Sequence, residues 1–215
     1  MKPPQKYLLF HLPKTGGTTI YKAFKQWVGP ARFETYRRKF LPEALNGIRP
    51  ETLAINGHFD YTDLPSRLDL EEWRMIVWLR HPVDRVVSNY HHFIRSIHNP
   101  PPEARDVAKQ NAHRLHETLL EYCGRDGNKN RMSSRLRGAK FEDFYFIGQQ
   151  ERLEDDLKKL AARIGMPAKE KVPYSNTGEY TRPSAEVLAQ LHEWNQEDLA
   201  MWEEWTLRIK EQQRS

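Results

Sequence analysis

Short, continuous apolar runs alternate along the chain with longer segments whose apolar positions recur at helical spacing. The runs Tyr7–Phe10, Leu53–Asn56, Met75–Leu79 and Phe144–Ile147 are of strand length, which predicts buried strands. A helix is predicted from Thr18 to about Trp27. A second opens at Pro82, because the first helical position tolerates proline, and carries Val83, Val86, Val87, Tyr90, Phe93, Ile94 and Ile97 along one stripe. It ends before Asn99 and the three prolines Pro100, Pro101 and Pro102. Ala104–Tyr122 reads as one helix closed by Gly124, residues 124–130 as a loop, and Glu151–Ile164 as a helix stopped by Gly165. A polar loop, Lys169–Pro183, leads to a last helical stretch with Ser184 as its N-cap. Its stripe stumbles near Asn195, so two helices are expected there. Strands alternating with helices predict an α/β fold: a parallel sheet covered on both faces, with a helical C-terminus. No internal repeat or low-complexity tract is found. The triple proline is read as a loop inside a single domain spanning residues 1–215.

Composition narrows the class. Hydrophobic residues make up 38% of the 215, with six Trp, nine Tyr and nine Phe, which supplies a core and excludes wholesale disorder. The single cysteine, Cys123, excludes an intramolecular disulfide and any multi-cysteine metal site. No run of about 18 apolar residues is present, so a spanning helix is not expected. Met1 stands too close to the first apolar run for a signal peptide, and a cytoplasmic location is the expectation. The oligomeric state stays open, a homo-oligomer included.

The net charge of +5 is unevenly spread: residues 1–140 hold 24 basic and 14 acidic side chains, residues 141–215 hold 10 and 15. A basic front fits nucleic acid, an anionic cofactor, an acidic acceptor or simply a polarised solvated surface. No aromatic–basic interleaving of an RNA-binding strand is present, so nucleic acid is not expected. His91 and His92 are adjacent, and His113 and His116 lack the H-E-x-x-H pattern of a zinc helix, so all four are read as solvated or hydrogen-bonded, with no metal.

The first strand runs through His11-Leu12-Pro13 into Lys14-Thr15-Gly16-Gly17-Thr18-Thr19 and then a helix. A strand, a glycine-bearing turn and a helix N-terminus make an anion cradle, since glycines let backbone amides approach a phosphate. Lys14 adds a mobile charge, and the threonines add hydroxyls. The nucleoside-triphosphatase loop needs lysine directly after glycine and a magnesium-binding Asp on a neighbouring strand. Here no glycine is followed by lysine, and Met75–Leu79 ends in Arg80. Arg80 stands where ligands of open α/β sheets bind, and Ser88 lies two turns into the following helix. An Arg fork and a Ser hydroxyl can converge on one phosphate, although alone they read rather as an Arg–Asp84 surface pair and a Ser on a solvated face.

Together the two segments resemble a known family. YLLFHLPKTGGTTIYKAF is similar to the 5′-phosphosulfate loop of sulfotransferases that use 3′-phosphoadenosine 5′-phosphosulfate (PAPS), and MIVWLRHPVDRVVSNYHHF to their 3′-phosphate motif. INGHFDY, FYFIGQQERL and EDLAMWEEW resemble later segments of the carbohydrate branch, of the heparan sulfate 2-O-sulfotransferase type and its bacterial homologues. The resemblance implies a P-loop-NTPase-like sheet of the sulfotransferase kind. It implies PAPS as donor, its product 3′-phosphoadenosine 5′-phosphate (PAP), no metal, and a hydroxyl acceptor on a saccharide or glycoconjugate. Thr15, Gly16, Gly17, Thr18 and Thr19 would hold the 5′-phosphosulfate, and Lys14 would steady the leaving oxygen. Arg80 and Ser88 would grip the 3′-phosphate, and Asn176 and Thr177 fall where relatives close a loop over the nucleotide. His58 matches the acceptor's general base, a role suited to an imidazole. The 2-O branch has a second histidine two residues earlier, where this chain has Asn56, a residue that can orient an acceptor but takes no proton. Arg131 and Arg135, in the basic stretch RDGNKNRMSSRLR, fall near the family's acceptor, although the stretch alone reads equally as a solvated loop. Two other readings share these residues: an ATP-dependent small-molecule phosphotransferase, and a non-catalytic nucleotide- or glycan-binding relative.

Overall fold

The computed structural model describes residues 5–36, 47–64, 72–167 and 182–212. Strands β1 (Lys6–Phe10), β2 (Phe33–Tyr36), β3 (Ala54–Gly57), β4 (Trp73–Leu79) and β5 (Phe144–Gln149) form a parallel sheet in the order β2-β3-β1-β4-β5. The described helices are α1 (Gly17–Val28), α2 (Pro82–His98), α3 (Arg105–Gln110), α4 (Leu119–Cys123), α5 (Arg131–Arg135), α6 (Leu153–Arg163), α7 (Ala185–Trp194) and α8 (Gln196–Gln212). This is the parallel sheet with helices on both faces and a helical C-terminus that the pattern predicts.

Side-chain alternation along β1 assigns the two faces. Leu8 and Phe10 join Ile55, Val77, Met132 of α5 and Trp205 of α8 in one apolar layer. Tyr7 and Leu9 join Ile76, Phe24 of α1 and Leu157 of α6 in the other. A third cluster, Val83, Val86 and Val87 of α2 with Tyr122 and Cys123 of α4 and Leu191 of α7, packs the helices that carry the stripe. Burial pushes the Cys123 thiol up to about 12, which leaves it unreactive.

Three differences from the sequence reading have physical causes. The edge strand β2 was not expected: of Phe-Glu-Thr-Tyr only Phe33 is buried, and it pairs with a single neighbour, β3. Ala104–Tyr122 is not one helix. After α3 the Asn111 amide donates to the Val107 carbonyl at 2.8 Å and the chain tightens into a 3-10 turn at Ala112–His116. Thr118 then starts α4 through a capping box, with Glu121 N–H donating to the Thr118 hydroxyl at 3.2 Å. Within the basic stretch, just past the expected loop of residues 124–130, residues 131–135 form α5. The break at Asn195 stands where expected, because the buried Asn195 amide donates back to the Leu191 carbonyl at 2.8 Å. Ser184 caps α7 by accepting from Val187 N–H.

Candidate active site

The sheet order puts β1 between β3 and β4, so the chain leaves the sheet in opposite directions around β1. Ligands of open α/β sheets bind at such a switch point, beyond the C-terminal strand ends. A cleft of about 650 Å³ lies there. The segment after β1 supplies His11, Lys14, Gly16, Gly17 and Thr18, the end of β3 supplies His58, and the ends of β4 and β5 supply Arg80 and Gln150. Ser88, Asn89 and His92 of α2 and Arg131 and Arg135 of α5 complete the wall.

The loop after β1 is bent at two left-handed residues, Lys14 at φ 69° and Gly16 at φ 89°. Glycine takes this conformation without cost, whereas Lys14 holds it at about 1–2 kcal/mol. Gly16 is the N-cap of α1; no side chain caps this end, and no acid sits in the first turn. The helix-end amides and the positive end of the dipole are therefore presented to an anion. Thr15 and Thr19 are 1% and 3% exposed, and the Thr15 hydroxyl donates to the Leu12 carbonyl at 3.0 Å. Of the loop residues singled out from sequence, Lys14, Gly16, Gly17 and Thr18 line the cleft, while Thr15 and Thr19 sit behind it. Arg80 Nη1 donates to the Lys14 carbonyl at 3.2 Å, fixing the strand-end arginine to the loop. Burial lowers the Lys14 pKa, and the Arg95 and Arg80 charges lower it further.

His58 is held by its Nδ1, 2.6 Å from the His11 carbonyl oxygen. A carbonyl can only accept, so Nδ1 carries the proton and Nε2 keeps its lone pair. The His11 and His58 rings stack with centroids 4.4 Å apart. Burial pushes the His58 pKa below the ordinary imidazole value; the bond to His11 opposes this, and the Arg135 and Arg131 charges add to it. Burial and the neighbouring His58 push His11 down to about 4. Arg135 Nη1 donates to the His58 carbonyl at 3.1 Å and to Asp60 Oδ1 at 3.0 Å, bracing the segment that carries His58. Arg131 Nη1 donates to the Gly127 carbonyl at 2.5 Å. The α5 helix that bears both arginines is anchored from α8, where the Asp198 carboxylate accepts from Met132 N–H at 3.1 Å and Ser133 N–H at 2.7 Å.

Asn56 lies inside β3 at 4% exposure and is not among the residues lining the cleft. Asn176 and Thr177 fall outside the described residues. His11, Asn89 and Gln150 line the cleft without having been singled out, and His92, exposed as a solvated histidine would be, lines it as well. A signal for His11 exists in strand pairing: Phe10 is opposite Gly57, which sets residues 11 and 58 side by side. Among the described lining residues there are four permanent or near-permanent cations, Lys14, Arg80, Arg131 and Arg135, and no carboxylate. The arrangement can hold anionic groups and offers a neutral imidazole beside them. Among the described residues no three His, Cys, Asp or Glu side chains gather into a metal-binding group, and no helix is long and apolar enough to cross a membrane.

Solved structures similar to the chain include the following three. Mouse sulfotransferase SULT7A1 complexed with PAP is 16% identical, with 88% of this chain and 63% of that one covered and a TM-score of 0.44. The sulfotransferase from Alicyclobacillus acidocaldarius is 14% identical, with 91% and 93% covered and a TM-score of 0.48. Retinol dehydratase in a complex with retinol and PAP is 15% identical, with 93% and 82% covered and a TM-score of 0.46. The chain thus spans less than two thirds of the mouse protein's length. The search of curated proteins returned no match. The family model described as the Sulfotransferase family matches residues 1–201, and on that match over nearly the whole chain the protein belongs to the Sulfotransferase family.

Proposed function

We propose that the protein transfers a sulfuryl group from PAPS to a hydroxyl on a saccharide or glycoconjugate, in the manner of the carbohydrate branch. One observation carries the reading: Lys14, Gly16, Gly17 and Thr18 share a cleft with Arg80, Ser88 and His58. These residues fit a 3′,5′-bisphosphate nucleotide. The uncapped α1 end offers amides to the 5′ group, and the left-handed Gly16 lets the backbone turn toward it. Arg80 and Ser88 supply a second anion site, suited to a 3′-phosphate through charge-assisted hydrogen bonds. The lining supplies its counter-charge from Lys and Arg side chains, so the reading needs no metal ion.

Bound in this cleft, PAPS supplies the sulfuryl group for in-line transfer. Lys14 holds the negative charge that grows on the departing phosphate oxygen, an interaction stronger in the transition state than in the ground state. His58 Nε2 takes the proton of the acceptor hydroxyl, its ring oriented by the bond from Nδ1 to His11. Arg131 faces the same cleft and meets an anionic group on the acceptor, while Arg135 acts through the His58 backbone as well as on the acceptor.

Incubation with ³⁵S-labelled PAPS and a panel of neutral and uronate-containing glycans tests this. Label is expected on a uronate-containing glycan and not in reactions lacking acceptor. Absence of label on every glycan, together with phosphate transfer from ATP–magnesium, would overturn the proposal in favour of a phosphotransferase.

A further inference from the structure

We propose that His11 is a positioning residue, a wedge between the donor loop and His58 that sets the spacing of the base and holds it in the neutral Nδ1–H form. The inference rests on the assignment of His58 as base made above. His11 N–H donates to the Gly57 carbonyl at 2.8 Å, which carries the β1–β3 pairing one residue past the strand ends. His58 Nδ1 donates to the His11 carbonyl, so backbone and ring of His11 both touch the base. One face of the His11 ring lies on His58 at 4.4 Å between centroids and 30° between planes. The ring also presses on the loop: a Cβ added at Gly17 would stand 1.9 Å from His11 Nε2 and 2.0 Å from its Cδ2. Gly17 thus lacks a side chain because the wedge occupies that space, a reason independent of any phosphate.

The packing has a chemical consequence. The wedge shields one face of the His58 ring from water, and burial is the largest cause of the lowered His58 pKa. Charged and titratable groups facing His58 are His11 from the end of β1, Arg131 and Arg135 from α5, and Asp60 beyond it on its own segment. Both arginines disfavour a proton on His58, and Asp60 is paired with Arg135. His11 itself stays neutral until about pH 4, because burial disfavours its charge and a proton on the neighbouring His58 disfavours it further. The wedge therefore keeps the base ready to accept a proton without becoming a competing base.

Long-range ¹H–¹⁵N correlation spectra of histidine-labelled full-length protein test this without any acceptor. In the wild type His58 is expected in the Nδ1–H form, titrating below the ordinary imidazole value. His11→Phe, which keeps a ring of similar size, should preserve both signatures. His11→Ala keeps the backbone carbonyl, so the Nδ1–H form should persist while the titration moves up toward the ordinary value. Gly17→Ala should give the same change while leaving both histidines in place. An unaltered His58 titration in folded His11→Ala and Gly17→Ala, judged by circular dichroism, would overturn the proposal. These spectra report on His58 whether or not it is the base, which the turnover of His58→Ala decides separately.

Discussion

Arg85 and Asp198 form an ion pair in which neither side chain has any exposure, with Nε 3.8 Å from Oδ2. The pair joins α2, which carries Ser88, to α8, whose Asp198 also accepts the backbone amides of Met132 and Ser133 in α5. Arg85 Nη2 donates to the Asn128 carbonyl at 2.9 Å, tying in the segment that leads to α5. One buried carboxylate therefore fixes the helix bearing Arg131 and Arg135 against the helix bearing Ser88.

Removing that carboxylate strands a buried charge. Asp198→Ala should destabilise the protein by about 3–5 kcal/mol, the cost of breaking a buried pair on one side only. Urea unfolding followed by circular dichroism measures it. A midpoint within experimental error of the wild type would show that the pair does not carry the anchoring.

The parts of the site that are local in sequence were legible, and the parts that depend on register were not. The strand–loop–helix from Tyr7 to Trp27 and the arginine ending β4 follow from short-range patterns, and the structure has both. The restart at Thr118 was also readable, since Thr118 and Glu121 have capping-box spacing, but a helical stripe across Ala104–Tyr122 masked it. The roles of His11 and Gly17 depend on β1 lying beside β3 in one register, which no window of sequence contains. The same holds for α5, whose amides are satisfied by Asp198 from the far end of the chain. Four residues of edge strand with one buried side chain gave no periodic signal at β2.

Lys14 and the loop amides separate in a second experiment. Lys14→Ala leaves the amides of α1 in place, so PAP affinity should fall by only a small factor. Turnover should fall by roughly 10²–10³, as when one group stabilising transition-state charge is removed. Steady-state transfer from PAPS beside PAP titration gives both numbers. Undiminished turnover would reject the role of Lys14.

If His58 is the base, as proposed, it gives the activity an acid limb. His58→Ala should lower turnover by roughly 10²–10⁴ with PAP affinity nearly unchanged. The sign of the pH dependence follows from the lowered His58 pKa. The active form is neutral, so the acid limb of wild-type activity should have its midpoint below the ordinary imidazole value. In His58→Ala that limb should disappear. A limb that persists unchanged would place the base elsewhere, with His92 of the cleft wall next to examine.

A cleft built for a nucleotide bearing both a 3′- and a 5′-phosphate should declare itself in calorimetry without magnesium. Wild-type protein should bind PAP roughly ten- to a hundredfold more tightly than 5′-AMP, the worth of charge-assisted hydrogen bonds from Arg80 and Ser88. Arg80→Ala should erase most of that preference, and Ser88→Ala part of it, while both retain the weaker binding of 5′-AMP. Equal affinities of the wild type for PAP and 5′-AMP, or tighter binding of ATP–magnesium than of PAP, would contradict the account.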